Sequence, residues 1–180
     1  MTEVGIMVEL LTFTEATEEL VNELADIHGD LVFHQSGGCC DGSAPMCFPR
    51  DEFKVGSRDI YLGKIKEQPF FIAHDQYAYW EHTQLIIDVV PGRGGMFSLE
   101  GPTGKRFLTR SKVFSDIEYQ EIQNNPPLNA SEISDIFLNP SNVIIRNSSL
   151  LIICLRRVLN LTKLKCLNYN IELLYPFESK

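Results

Sequence analysis

The stretch Phe33-His34-Gln35-Ser36-Gly37-Gly38-Cys39-Cys40-Asp41-Gly42-Ser43-Ala44-Pro45-Met46-Cys47 decides how this chain is read. It opens as a strand, because from Asp30 onward Leu31 and Phe33 alternate with Val32 and His34, and it runs directly into a glycine-rich loop. Three thiols and an imidazole fall within it, and Gly37, Gly38 and Gly42 let the backbone close around whatever the sulfurs hold. A free cysteine behaves as a small buried hydrophobe and needs no company. Plain packing therefore predicts scattered cysteines, not the adjacent pair Cys39-Cys40 followed by Cys47.

Working outward, the segment before the strand reads as a helix. Thr12 stands three residues ahead of Glu15 in capping-box spacing, Leu20, Leu24 and Ile27 mark one apolar face, and Gly29 supplies the stop. Ahead of it, Val4, Ile6, Val8 and Leu10 alternate as a strand or a loose arm. After the cysteine loop, short strands are expected over residues 54–65, 70–75, 83–90 and 96–100, with turns at Gln68-Pro69 and Pro91-Gly92-Arg93-Gly94-Gly95. Residues 76–80 are short and aromatic, enough for one helical turn. One helix followed by several short strands gives an α+β, mostly β domain.

Composition limits the function. The chain has 180 residues, 44% of them apolar, which suits one domain with a real core. A formal charge of −8 argues against nucleic acid or an anionic membrane as partner, since phosphate recognition draws on a Lys/Arg surplus. Glu3 and Glu9 sit where an export signal would be basic, so the expected compartment is the cytoplasm, where thiols stay reduced. The five cysteines then point to metal, redox chemistry or packing and not to a disulfide framework.

A composition break divides the sequence. All 12 glycines and all 4 histidines precede residue 117, and the first 116 residues hold 10 Lys and Arg against 18 Asp and Glu, while the remainder is balanced at 6 against 6. Residues 1–116 are therefore read as the domain and 117–180, rich in Asn, Leu and Ile, as an irregular or partly helical, poorly ordered extension behind the linker Asn124-Asn125-Pro126-Pro127. Its apolar run at 150–155 falls far short of the roughly 20 residues that span a bilayer. The sequons at Asn129, Asn147 and Asn160 carry no meaning in the cytoplasm. Cys154 and Cys166 belong to this tail and are left out of the site.

Thiolates suit zinc, copper(I) or iron–sulfur iron, and imidazole suits zinc, iron and copper, so Cys39, Cys40 and Cys47 with His34 or His82 form a chemically coherent ligand set. Two readings compete with it. Adjacent cysteines tend to point opposite ways along an extended backbone, which favours inert buried thiols, and a thiol beside a cation or imidazole is a reactive nucleophile instead. His82 serves equally as ligand, base or structural residue. His74, read within a strand, and His28, at the end of an acidic helix, have structural explanations. Tyr77, Tyr79 and Trp80 line a small-molecule pocket or close the core. Gly37 and Gly38 are candidate close-approach glycines of a cofactor site, and Arg93 is either its anion contact or, as is usual for a lone arginine in a loop, a solvated side chain. No Walker or dinucleotide fingerprint is present, because Gly92-Arg93-Gly94-Gly95 lacks the spacing and the following helix.

The HQSGGCCDG stretch from His34, Tyr79-Trp80-Glu81-His82-Thr83-Gln84-Leu85, the VVPGRGG stretch from Val89 and Phe97-Ser98-Leu99-Glu100 carry a resemblance over roughly residues 14–116. They resemble a bacterial family of small proteins, a domain of unknown function often encoded beside aldehyde and alcohol dehydrogenases. The order of elements is also similar to the HesB-like fold of A-type iron–sulfur carriers, with Gly38-Cys39 matching the first cysteine after a glycine turn and Thr83-Gln84-Leu85 the Thr-x-Leu strand. Those carriers hold a Cys-x-Cys where this chain has Leu108-Thr109-Arg110-Ser111, which makes Cys40 and Cys47 the replacement ligands if the fold is shared.

Two functions follow as expectations. One is a cytosolic accessory protein that binds zinc, iron or an iron–sulfur cluster and acts with an aldehyde or alcohol dehydrogenase, a homodimer being left open. The other is a thiol-dependent enzyme or redox protein that uses Cys39 or Cys40 on an aldehyde-type molecule.

Overall fold

A strand covered on both faces needs apolar neighbours above and below it, and Leu31–Gln35 (β2) has them: all five of its residues are buried. The structure, a computed structural model, describes residues 8–37 and 44–133. Within them β2 pairs antiparallel with Met46–Pro49 (β3), Phe33 opposite Cys47, and parallel with Gln68–Ile72 (β5), Phe33 opposite Phe70. Ile60–Ile65 (β4) completes the sheet on the far side of β5, giving the order β3-β2-β5-β4. A second sheet joins Leu11–Phe13 (β1), Thr83–Pro91 (β6) and Lys105–Val113 (β7) in the order β1-β6-β7. There β1 runs parallel to β6, while β6 and β7 form a long antiparallel hairpin from Thr83–Val113 to Pro91–Lys105.

Among the described residues the helices Glu15–His28 (α1), His74–Trp80 (α2) and Asp116–Asn124 (α3) attach to this frame, a 3-10 turn spans Gly101–Thr103, and residues 130–133 are helical. Strand outweighs helix, so the fold is α+β and mostly β, with α1 following one short strand. The principal core lies between the sheets and under α1, where Leu20 and Leu24 meet Leu31, Phe33, Ile72, Leu85, Ile87 and Phe107. Each such side chain contributes about 1.5–3 kcal/mol on burial. On the outer face of the four-stranded sheet, Val32, Tyr61 and Phe71 form a smaller cluster with Phe48 and Phe53. Among the described residues no helix is long and apolar enough to cross a membrane.

Several expectations are corrected in detail. The α1 cap is Thr14 and not Thr12: the Thr14 hydroxyl accepts from the Thr17 amide, and Thr12 is drawn into β1 by pairing with Ile86. Ile27 is 74% exposed, and Thr17 and Val21 fill the buried face beside Leu20 and Leu24. Thr17 is satisfied there because its hydroxyl donates to the Ile87 carbonyl at 2.8 Å. Gly29 does end the helix, at φ 76°. Gln68-Pro69 opens β5, the turn having moved to residues 66–67, where Lys66 takes φ 55°. His74 begins a helix rather than lying in a strand.

Residues 96–100 form no strand; they are held as consecutive turns by Ser98 N–H to Gly95 O and Gly101 N–H to Ser98 O. The strand that follows is β7, whose sequence reads as polar because only one of its faces meets the core. The line expected between Asp116 and Ile117 runs through the first turn of α3, whose Ile122 is buried in the principal core. Tyr61 N–H donates to Leu128 O and Ala130 N–H to Asp59 O, so residues up to 133 also lie along β4. The expected arm residues Val4 and Ile6, and the tail beyond 133 with Cys154 and Cys166, lie outside the described residues.

Candidate functional site

Alternation along β2 and β3 places the two flanks of the cysteine loop on different surfaces. Val32 and His34 face the outer cluster, whereas Phe33, and with it the opposed Cys47, faces the principal core. His34 is 8% exposed and its Nε2 stands 3.0 Å from Asp59 Oδ2. The same carboxylate oxygen accepts from Gly56 N–H at 2.7 Å, in a turn closed by Asp59 N–H to Gly56 O. Gly56 suits that turn because a Cβ there would come to about 3.0 Å from Asp59 Oδ2. The imidazole also leans on Phe53, which stacks on Phe48. His34 is thus held in one orientation by a carboxylate, with no hydrogen bond to Nδ1 among the described residues.

Cys47 has the opposite environment. Its side chain is fully buried, and its N–H donates to Ser98 Oγ at 2.8 Å. The Ser98 hydroxyl in turn donates to Glu100 Oε2. Glu100 is 1% exposed and also accepts from its own N–H and from those of Gly95 and Phe107. Burial raises its carboxyl above the ordinary glutamate range in spite of these donors. The Cys47 thiol is pushed up strongly, by burial first and by the neighbouring Glu100 second, so it stands as a protonated thiol. Close by, Thr109 Oγ1 donates to Gln35 Oε1 at 2.8 Å, a second polar pair sealed between the sheets.

The remaining candidates are dispersed. His82 precedes β6 on the other sheet; its side chain is 60% exposed, 3.5 Å from Glu81 and edge-on to Tyr119 of α3. His74 lies exposed between Arg58 and Asp75. Gly37 is covered by the Gln76 side chain of α2, which occupies the place of a Cβ and so explains the glycine by packing. Tyr77 and Trp80 pack against the core, whereas Tyr79 is exposed. Arg93 lines an open cleft of about 380 Å³ with residues 94–99, Gly101, Pro102 and His28. Gly38, Cys39 and Cys40 lie outside the described residues. Among the described residues no three His, Cys, Asp or Glu side chains gather where a metal ion could sit.

Ser98, Glu100 and Asp59 are the site residues that sequence reasoning missed. Phe97-Ser98-Leu99-Glu100 alternates as a strand would, but in inverted phase: Phe97 is 78% exposed while Ser98 and Glu100 are buried. The available signal was the acid itself, set within glycines at 94, 95, 101 and 104 that let backbone N–H groups approach it.

A family model described as "Domain of unknown function (DUF779)" matches residues 20–113. No curated protein matches the chain.

Proposed function

The chain belongs to that family of unknown function, whose model covers more than half of it, and from this premise we propose that it is an accessory protein holding a soft metal ion or iron–sulfur cluster through Cys39 and Cys40. The partner proposed for it is an aldehyde or alcohol dehydrogenase, a role suggested by the family's resemblance alone. The observation that carries the metal reading is His34, whose Nε2 is fixed by Asp59 at 3.0 Å five residues before Cys39. Carboxylate-oriented imidazoles are the usual arrangement of a histidine ligand, because the acid fixes the tautomer and raises the basicity of the other nitrogen. Cys47 and His82 are not part of this proposal, since the first faces away from His34 and the second belongs to the other sheet. Bound there, a metal would supply Lewis-acid or electron-transfer chemistry; His34 and Asp59 contribute orientation and charge balance.

The competing reading is a reactive thiol, Cys39 or Cys40, acting on a small aldehyde, since aldehydes add readily to thiolates.

Anaerobically purified protein and its Cys39→Ser/Cys40→Ser and His34→Gln variants separate the two by elemental analysis. The metal reading expects roughly one-to-one metal in the wild type, loss in the cysteine variant and weakened retention in the histidine variant. Metal-free wild type with an iodoacetamide-sensitive activity on aldehydes overturns it in favour of the thiol reading.

A further inference from the structure

The cleft beside the Ser98–Glu100 cluster has a composition of its own. In a chain carrying 24 acidic against 16 basic residues, no Asp or Glu among the described residues lines it. Arg93 and His28 do, together with Met96, Phe97, Leu99 and Pro102. The Arg93 side chain makes no ion pair or hydrogen bond among the described residues, whereas Arg110 is bound to Asp88 and Lys66 to Glu18. Met96 and Phe97 stand 81% and 78% exposed beside it. A guanidinium with no partner among the described residues stands next to two exposed apolar side chains, and a ligand with an anionic head and an apolar body pairs the first and covers the second.

The floor of the cleft is built before any ligand arrives. Leu99 N–H donates to Cys47 O at 3.0 Å, which ties the turn to β3, and the Gly94 backbone lies against the Glu100 carboxyl. Gly95 rests on Met46. A site formed in advance spares a ligand the cost of ordering a loop, and a cleft of about 380 Å³ falls in the size range of small-ligand pockets.

We infer that this cleft binds a short aliphatic carboxylate, its head group on the Arg93 guanidinium and its chain across Met96 and Phe97. Guanidinium suits the task because it stays charged at every physiological pH and matches a carboxylate in bidentate fashion.

Titration of the full chain with sodium hexanoate at constant ionic strength, followed by amide NMR and calorimetry, tests the inference, with hexanol and hexylamine as neutral and cationic counterparts. Hexanoate is expected to shift the Gly94 to Phe97 amides saturably, and the two counterparts to bind about tenfold more weakly or worse. Arg93→Gln is expected to weaken hexanoate by about tenfold with the circular dichroism spectrum unchanged, and Arg93→Lys to recover part of the loss. Phe97→Ala should weaken it several-fold, and Val113→Ala, at the exposed end of β7, should leave it unaltered. Wild-type affinity in Arg93→Gln, equal binding of hexanol, or acetate competing as well as hexanoate overturns the assignment.

Discussion

Strand β2 is covered on both faces, whereas β7, across the core from it, buries Phe107 and Thr109 and leaves its second half exposed. The polar groups on the two strands are treated accordingly. On β2 each has an internal partner, His34 with Asp59 and Gln35 with Thr109, because an unpaired polar atom there forfeits its hydration. On β7, Arg110 meets Asp88 at the surface, where water competes for both. The contrast shows where chemistry can be tuned: burial raises the titration of Glu100, whereas at the surface a shift comes from hydrogen-bonded partners, as Arg110 lowers that of Asp88.

The sharpest test of this contrast is a matched pair of truncations. Phe33 stacks on Phe70 with centroids 6.1 Å apart and presents to Phe107 edge-on at 5.2 Å, so Phe33→Ala empties the junction of the two sheets. A loss of about 3–5 kcal/mol in urea unfolding is expected. Val113→Ala, at the exposed end of β7, should stay within about 0.5 kcal/mol. Similar losses for the two would dissolve the distinction between a doubly and a singly covered strand.

The next effect in size concerns Glu100. Glu100→Ala leaves the Ser98 hydroxyl and the Gly95 and Phe107 amides without their acceptor, and about 1–3 kcal/mol should be lost. Glu100→Gln keeps an acceptor oxygen and should lose less, while changing the pH dependence. The folded carboxyl titrates above its unfolded value, so between the two values the native state holds a proton that the unfolded chain releases. Its contribution is therefore complete below the ordinary glutamate range and is lost as pH rises through the raised value. Subtracting the Glu100→Gln stability profile from that of the wild type should give a curve descending with pH; an ascending one contradicts a buried, destabilised carboxylate.

What the sequence revealed follows the same division. β2, β6 and the body of α1 were legible because their burial follows a regular period: Leu31 and Phe33, Leu85 and Ile87, Leu20 and Leu24. β7 was not, since Lys105, Arg106, Arg110 and Lys112 outnumber its buried residues and its partner strand lies beyond a thirteen-residue connection at 92–104. The candidate site could be read only as residue types and not as an assembly. His34 and Cys47 are near neighbours across a strand pair, yet pleating sends them to opposite faces, a consequence of register that no linear spacing records. Asp59 and Glu100 were missed for a related reason: each meets its hydrogen-bond partner only when a turn brings the two together.

The smallest effect belongs to the exposed side of the comparison, and its sign makes it informative. Asp88 receives Arg110 Nε at 2.8 Å, Val89 N–H at 2.9 Å and the Thr14 hydroxyl at 3.1 Å, which links β7, β6 and the cap of α1. These donors, the Arg110 hydrogen bond first, hold its carboxyl below the usual range. A lowered folded value stabilises the protein above the unfolded aspartate range, and that stability is lost as pH falls through the folded value, the reverse of Glu100. Because Arg110 is more than half exposed, Arg110→Ala should cost no more than about 1 kcal/mol at neutral pH, and the cost should shrink as salt is added. Melting curves at low and high ionic strength provide the check. A cost that persists unchanged in salt would place this pair in the same sheltered regime as β2, because screening reaches a solvated ion pair and does not reach one enclosed between sheets.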